Sequence, residues 1–398
     1  MVTYVQMPDV LFFQEGPGVR NTQYTTAGVK LLNVANLIDG KIDLSTSDRY
    51  ISEKEAFGKY KHFLCEPGDF IIASSGIKVE YVDKKMGFVD KSMLPLCMNT
   101  STIRFRVLDL SVLSIRYFMY YLKSNHYKEQ LSRFITGSAQ LNYGPSHLSQ
   151  MIIPLRPINE QKDIIEKMDK LQLLIELRSQ QLIQLDTLIK ARFVEMFGDP
   201  VFNEMGWQTK ALEDVCKTIV DCPHSTPNYT SENTGFMCIR TSIVKKNRIM
   251  WDEIEYIPEE EFSQRIQRKK PEKGDVIYTR EGAILGIAAI IDRDCNVALG
   301  QRSMLLSPDK KQCTSEFLSV AMNFDTFLDN ALKGMSGSAS PHINVGDIKA
   351  FQMILPPIEQ QNSFSSFVQQ VDKSKVVVQK AMNEAKLLFD SLMQKYFG

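Results

Sequence analysis

The chain repeats itself, and that repeat limits what it can fold into more than any other feature. Residues 337–398 restate residues 137–198 at a constant offset of 200, without a gap. The match is clearest where Gly137-Ser138-Ala139-Gln140-Leu141-Asn142 stands against Gly337-Ser338-Ala339-Ser340-Pro341-His342. Pro157-Ile158-Asn159-Glu160-Gln161 likewise stands against Pro357-Ile358-Glu359-Gln360-Gln361. Both copies then run without Pro or Gly to Phe197-Gly198 and Phe397-Gly398. A two-fold repeat is too short for a solenoid, which needs about three stacked units to bury its faces, so the pattern predicts two similar modules.

The likeness extends upstream with small insertions. Glu66-Pro67-Gly68-Asp69-Phe70-Ile71-Ile72 matches Glu272-Lys273-Gly274-Asp275-Val276-Ile277-Tyr278 at an offset of 206, as Gly76 matches Gly282. Gly28-Val29-Lys30-Leu31-Leu32 faces Gly235-Phe236-Met237-Cys238-Ile239 at 207. Each module thus opens with a polar, Pro- and Gly-rich stretch (16–28 and 222–235), followed by a short apolar strand and a G-D turn launching another. An amphipathic helix is expected near 111–134 and 315–332, then a Gly-Ser loop and a strand near 151–155 and 351–355. The expected fold class is α+β. The first module begins only about 15 residues before its equivalent of Asp221, so residues 199–215 are expected to have little counterpart in it and to serve both ends.

The two terminal helices carry the plainest pattern. In the first, Ile164, Met168, Leu171, Ile175, Arg178, Leu182, Leu185, Ile189, Arg192 and Met196 step by alternating fours and threes. The second repeats the register with Phe364, Val368, Val371, Lys375, Val378, Met382, Ala385, Phe389, Leu392 and Tyr396. That spacing is the seam of a coiled coil, interrupted only at Arg178, Arg192 and Lys375. Two helices of matching length, each closing a module, pair most economically as an antiparallel two-helix coiled coil. At 1.5 Å per residue, some 35 residues make a rod of roughly 50 Å. Asp199-Pro200 ends the first helix, because proline cannot continue it.

Composition matters mainly for what it excludes. The formal net charge is zero, so a protein gripping nucleic acid by bulk charge is disfavoured, and any such contact needs local patches or a partner. No run of about 18 apolar residues and no signal-peptide pattern occurs, which leads us to expect a cytoplasmic protein without membrane contact. Seven cysteines without a C-x-x-C pair read as reduced, mostly buried thiols. There is no G-x-x-x-x-G-K-[ST], no H-E-x-x-H and no [ND]-P-P-[YF]. Asp221-Cys222-Pro223-His224 with Cys216 lacks a second ligand pair for zinc, and nothing places a Ser, His and Asp together. The Asp83-Lys84-Lys85 and Asp309-Lys310-Lys311 stretches read as solvated turns. The chain reads as non-catalytic, without a cofactor or metal of its own.

A β-rich module, a G-S loop, a P-I-x-x-Q turn and a long helix, twice over, resemble the specificity subunit of type I restriction-modification systems. The carriers are Gly137-Ser138 with Pro157-Ile158-Asn159-Glu160-Gln161, Gly337-Ser338 with Pro357-Ile358-Glu359-Gln360-Gln361, Asp221-Cys222-Pro223-His224-Ser225-Thr226-Pro227, and Phe197-Gly198-Asp199-Pro200. The first copy departs at its opening, where Glu15-Gly16-Pro17-Gly18-Val19-Arg20 replaces D-C-P-H-S-T. The resemblance implies a first target recognition domain at 1–157, a spacer helix at 158–198, a linker with a second such domain at 199–357, and a second spacer helix at 358–398. Each domain would read one half of a split, asymmetric target in double-stranded DNA. The helices would set the unread gap and dock two methyltransferase subunits, which bind S-adenosylmethionine and methylate adenine. A separate restriction and motor subunit would translocate and cut. Those partners would also supply phosphate contacts, resolving the absence of net positive charge.

If the frame is common to both copies, polar positions that differ between them are candidates for reading DNA. Ser74 and Ser75, with Lys78 beyond, face Arg280 and Glu281, where Arg can bond guanine and Glu can accept from cytosine, unless the two are a solvated surface pair. The Gly-Ser loops set Ser138, Gln140, Asn142 and Tyr143 against Ser338, Ser340, His342 and Asn344, although turn chemistry explains the glycine and serine equally well. The opening loops set Arg20, Asn21 and Gln23 against His224, Ser225, Thr226 and Tyr229, with Arg240, Thr241 and Arg302 completing the second set. Lys245, Lys246, Arg248, Arg265, Arg268, Lys269 and Lys270 suit phosphate better. A binding scaffold that keeps the coiled coil but takes a non-DNA ligand stands as the alternative, and a self-contained nuclease or methyltransferase is disfavoured by the missing motifs.

Overall fold

The P-I-x-x-Q turn shows why the repeat is written as it is. In a computed structural model describing residues 2–133, 141–333 and 342–398, the last glutamine of each copy is fully buried at the start of a long helix. Gln161 accepts from the Ser114 amide at 2.9 Å and donates to the carbonyls of Val112 and Arg156, each at 2.8 Å. Gln361 accepts from the Thr314 amide at 3.1 Å and donates to Gln312 and Pro356 at 3.0 and 2.9 Å. One amide side chain thus satisfies three buried main-chain groups and pins the long helix to the loop before the shorter ones. Gln361→Leu keeps the volume but leaves those groups unpaired, at about 1 to 3 kcal/mol each. A clear fall in melting temperature is expected, with a similar fall for Gln161→Leu; melting curves that match the parent would refute the clamp.

The chain divides into two compact units, one of Met1–Leu177 with Ala381–Gly398 and the other of Arg178–Lys380. Each is built on a four-stranded antiparallel sheet with the same connectivity. In the first unit the order is Leu11–Glu15, Thr102–Val107, Phe70–Ala73, Met86–Phe88. In the second it is Cys216–Asp221, Ser303–Pro308, Val276–Thr279, Ala288–Ile290. Phe70–Ala73 and Val276–Thr279 are buried along their whole length, so they read as continuous apolar runs rather than alternating ones. A three-stranded sheet packs beside each, with a parallel pair (Val29–Leu32 with Leu96–Met98; Met237–Ile239 with Val297–Leu299) and an antiparallel third strand.

The G-D turns that launch the buried strands need glycine, since Gly68 and Gly274 sit at φ +87° and +94°. The aspartate then caps its own turn: Asp69 accepts from the Glu66 amide at 2.8 Å and Asp275 from the Glu272 amide at 2.9 Å. Each buried carboxylate has a counter-ion of different origin. Asp69 meets Arg104 and Arg106 from the neighbouring strand, whereas Asp275 meets Lys269 at 2.9 Å.

Three sequence expectations change here. Each expected amphipathic helix is two helices, Ile115–Leu122 with Asn125–Ser132 and Ser315–Met322 with Asp325–Leu332. Ser124 breaks the first by capping the Tyr127 amide at 3.2 Å, and the Asn323 side chain takes the carbonyls of Ala288 and Ser319 at the second break. The lead-in to the second module does have a counterpart. Thr3–Gln6 and Met7–Val10 pair and turn as Thr209–Ala211 and Leu212–Val215 do, against Ile152–Leu155 and Gln352–Ile354 respectively. Unmatched among the described residues are only 199–206. Finally, the long helices run further than the heptads, over Ile158–Phe197 and Ile358–Phe397.

Segments of the two helices pair within each unit. In the second unit Asp186 meets Lys375 at 2.7 Å, Arg192 lies over Phe367, and Phe193 and Phe197 pack on Phe364. Numbers rise along one helix as they fall along the other, so the pairing is antiparallel. No heptad position is fully exposed, and the three interruptions are accommodated at the edge: Arg178 bonds Gln181, Arg192 bonds Glu195, and Lys375 bonds Asp186 and Asp372. Phe193, Phe197, Met393 and Phe397, off the strict seam, are buried too, because the last turns of each helix enter a sheet-and-helix core and need a wider apolar stripe. The cysteines are free and, Cys295 apart, buried; burial pushes the thiols of Cys65, Cys97, Cys216 and Cys238 up to about 12.

Candidate nucleic-acid interface

Strand pairing now aligns the modules without reference to sequence similarity. Thr102 is registered on Ala73 and Ile103 on Glu15; Ser303 is registered on Thr279 and Met304 on Asp221. It follows that Glu15 corresponds to Asp221, Ser74 to Arg280 and Ser101 to Arg302. The main chain agrees. The Ser74 amide donates to Ser101 and the Tyr143 amide to Ser74, just as Arg280 donates to Arg302 and Ile343 to Arg280. These residues gather at one end of each central sheet, where the strand Leu141–Asn142 or the bridge between Glu281 and His342 closes it.

The expectation that Arg280 reads a base is not met. Arg280 is 5% exposed, and its fork is spent on Asp221, at 3.0 and 3.3 Å, and on Glu281 at 2.9 Å. It is not a solvated pair either. The strand end carries the side chain inward against the Asp221 carboxylate, which cannot be buried without a counter-ion. Asp221 also faces His224, whose Nε2 lies 3.1 Å from Oδ2. The smaller Ser74, also buried, fills the equivalent post in the first module beside Glu15, at 3.4 Å.

Other expected readers divide in the same way. Tyr143 is buried and donates its hydroxyl to the Ala73 carbonyl at 2.8 Å, so it is core rather than surface. Gln23 is held by Glu55 and Tyr60. The exposed Ser225 is tied down as an acceptor for Arg265, and Thr226 accepts from Gln301 at 3.1 Å. Arg240 pairs with Glu255 at 3.0 Å and lies over Tyr229. Ser75 and Thr241 are half-buried at the starts of their elements, and Asn344 bonds Asp347. Arg20, Asn21, Lys78, Asn142, His224, Arg302 and His342 present exposed side chains. Ser138, Gln140, Ser338 and Ser340 lie outside the described residues. Among the basic residues, Arg265 is buried against Glu261, which removes it as a phosphate contact; Lys269 is committed to Asp275 and Lys246 to Asp325, while Arg248 is exposed.

Two modules of one topology, aligned strand for strand, invite comparison with known proteins. The sequence model of the type I restriction modification DNA specificity domain matches residues 21–187 and again 204–385. The chain belongs to that family. Among characterised members, the EcoKI specificity subunit of Escherichia coli K12 is 23% identical over 300 residues, covering 69% of this chain and 62% of that one. The StySPI specificity subunit of Salmonella potsdam is 23% identical over 389 residues, covering 92% and 80%. The alignment with EcoKI thus spans about six-tenths of that relative's length. Among solved structures, a type I restriction-modification S subunit from M. genitalium superposes with a TM-score of 0.57 at 14% identity, covering all of this chain and 96% of the other. A chain from work on assembly and conformational transition of the type I R-M system gives 0.54 at 18%, covering 100% and 97%. These superpositions establish the shared fold of the specificity domains, a mixed sheet-and-helix module present twice. Among the described residues, no helix is long and apolar enough to cross a membrane.

Proposed function

We propose that this chain is the DNA specificity subunit of a type I restriction-modification complex, each specificity domain reading one half of a bipartite, asymmetric site. The observation that carries this reading is the pairing of an identical frame with unlike side chains: one sheet end, one hydrogen-bond pattern, yet Ser101 against Arg302 and Asn142 against His342. A frame that repeats while its polar surface does not is what two different half-sites require. The chain itself does no chemistry in this reading and works in the cytoplasm. S-adenosylmethionine and adenine methylation belong to two methyltransferase subunits, and cleavage to a restriction and motor subunit.

The helices supply the spacing and the docking surface. Among their exposed apolar residues, two positions recur at the repeat offset: Leu177 and Leu388 lie in the first unit, Val377 and Leu188 in the second, each more than two-fifths exposed. A pair of apolar residues that recurs in each unit suits two copies of one partner. Mapping methylated adenines in cells with and without this chain tests the whole reading. A split motif methylated only when the chain is present is the expected result. Methylation at the same sites without it would sink the proposal, and a chain that never shifts duplex DNA alongside a methyltransferase would favour a scaffold with another ligand.

A further inference from the structure

We propose that the residue just before the long central strand, Ser101 in the first module and Arg302 in the second, is a specificity-determining post, and that Arg302 reads a guanine in the second half-site. The inference rests on the specificity-subunit reading above. Both residues are non-glycine and yet hold left-handed backbone, at φ +68° and +66°. That conformation is uncommon for such residues and persists only where the surroundings enforce it. Here they do, in the same way twice. Each carbonyl accepts an amide from the neighbouring strand, Ser74 to Ser101 at 2.8 Å and Arg280 to Arg302 at 2.9 Å, and the next residue is registered on Ala73 or Thr279. The backbone is therefore a common platform, and only the side chain differs.

That side chain is exposed and uncommitted in the second module. Among the described residues Arg302 has no ion pair, because the two carboxylates at this sheet end, Asp221 and Glu281, are already engaged by the buried Arg280. Its guanidinium crosses Gly282, where a Cβ would stand 3.2 Å from Nη1, so the absence of a side chain at Gly282 leaves it room. The equivalent Gly76 has nothing within 4 Å, in keeping with a short serine at Ser101. The buried Arg280 thus has a second consequence: by engaging both acids it leaves Arg302 without an ion-pair partner among the described residues. A free planar fork on a fixed backbone suits bidentate bonding to guanine O6 and N7, whereas a phosphate contact gives no reason for the copies to differ.

The test uses the full chain with its methyltransferase partners and a pool of duplexes in which both half-sites are randomised, followed by selection and sequencing. Wild type is expected to enrich a split motif. Arg302→Ala should keep the first half and lose roughly tenfold or more of the preference for guanine at one position of the second. Arg302→Lys should keep the charge without restoring that preference. Uniform weakening across the pool, with the salt dependence reduced by about one phosphate contact, would make Arg302 a backbone contact and overturn the inference alone. So would a wild-type motif from both variants. A wild-type chain that enriches no motif overturns the specificity-subunit reading, and this one with it.

Discussion

Arg280→Ala is expected to lower the stability of the second unit by about 3 to 5 kcal/mol, rather than to change one base preference cleanly. Removing one partner of a buried pair leaves the other charge uncompensated, which is the expensive way to break it. Asp221 would keep only its contact with the largely exposed His224, and Glu281 would lose a 2.9 Å partner. Hydrogen exchange in Val276–Thr279 and Ser303–Pro308 is the direct readout, since these strands meet at the affected end. Protection equal to wild type would show that the pair is not structural. The first module suggests a compensating change, because Ser74 and Glu15 occupy the same posts. Arg280→Ser combined with Asp221→Glu should recover part of the loss, whereas Arg280→Ser alone should not.

Phe193→Ala should be comparably severe, at about 3 to 5 kcal/mol, because a fully buried ring is replaced by a cavity that rigid neighbours cannot fill. Phe193 packs against Phe197, Phe317, Phe324 and Phe364, with ring centroids 5.0 to 5.5 Å apart. Two of these lie on the short helices and their junction and one on the second long helix, so the cavity would open where the helix pair meets the module's core. A lower denaturation midpoint for the second unit, with the first unit's exchange protection unchanged, is the expected pattern. Equal loss in both units, or none, would refute the assignment of this cluster to the second core.

The contrast between these residues shows which features were legible. The heptads announced the helix pair because a repeating apolar spacing depends only on helical geometry. Phe193 and Phe197 escaped the seam because they answer to a second partner, the module core, which has no periodic signature along the helix. The G-D turn and the glutamine of P-I-x-x-Q were visible as repeated letters, but their purpose emerged only with the main-chain groups they satisfy. Arg280 is the sharpest case. As letters, Ser74 against Arg280 and Ser101 against Arg302 are equivalent differences. Burial decides that Arg280 holds the frame and that Arg302 is left free.

From the sequence alone come the two modules, the α+β order within each, the antiparallel helix pairing, the family and the places where the copies differ, since all of these are carried by patterns local in the chain or by the likeness of one half to the other. Only the tertiary structure settles which differing residues face inward. That choice depends on a carboxylate 59 positions away from Arg280 in the chain, and a charge is accepted in the interior only where its counter-ion is brought to meet it.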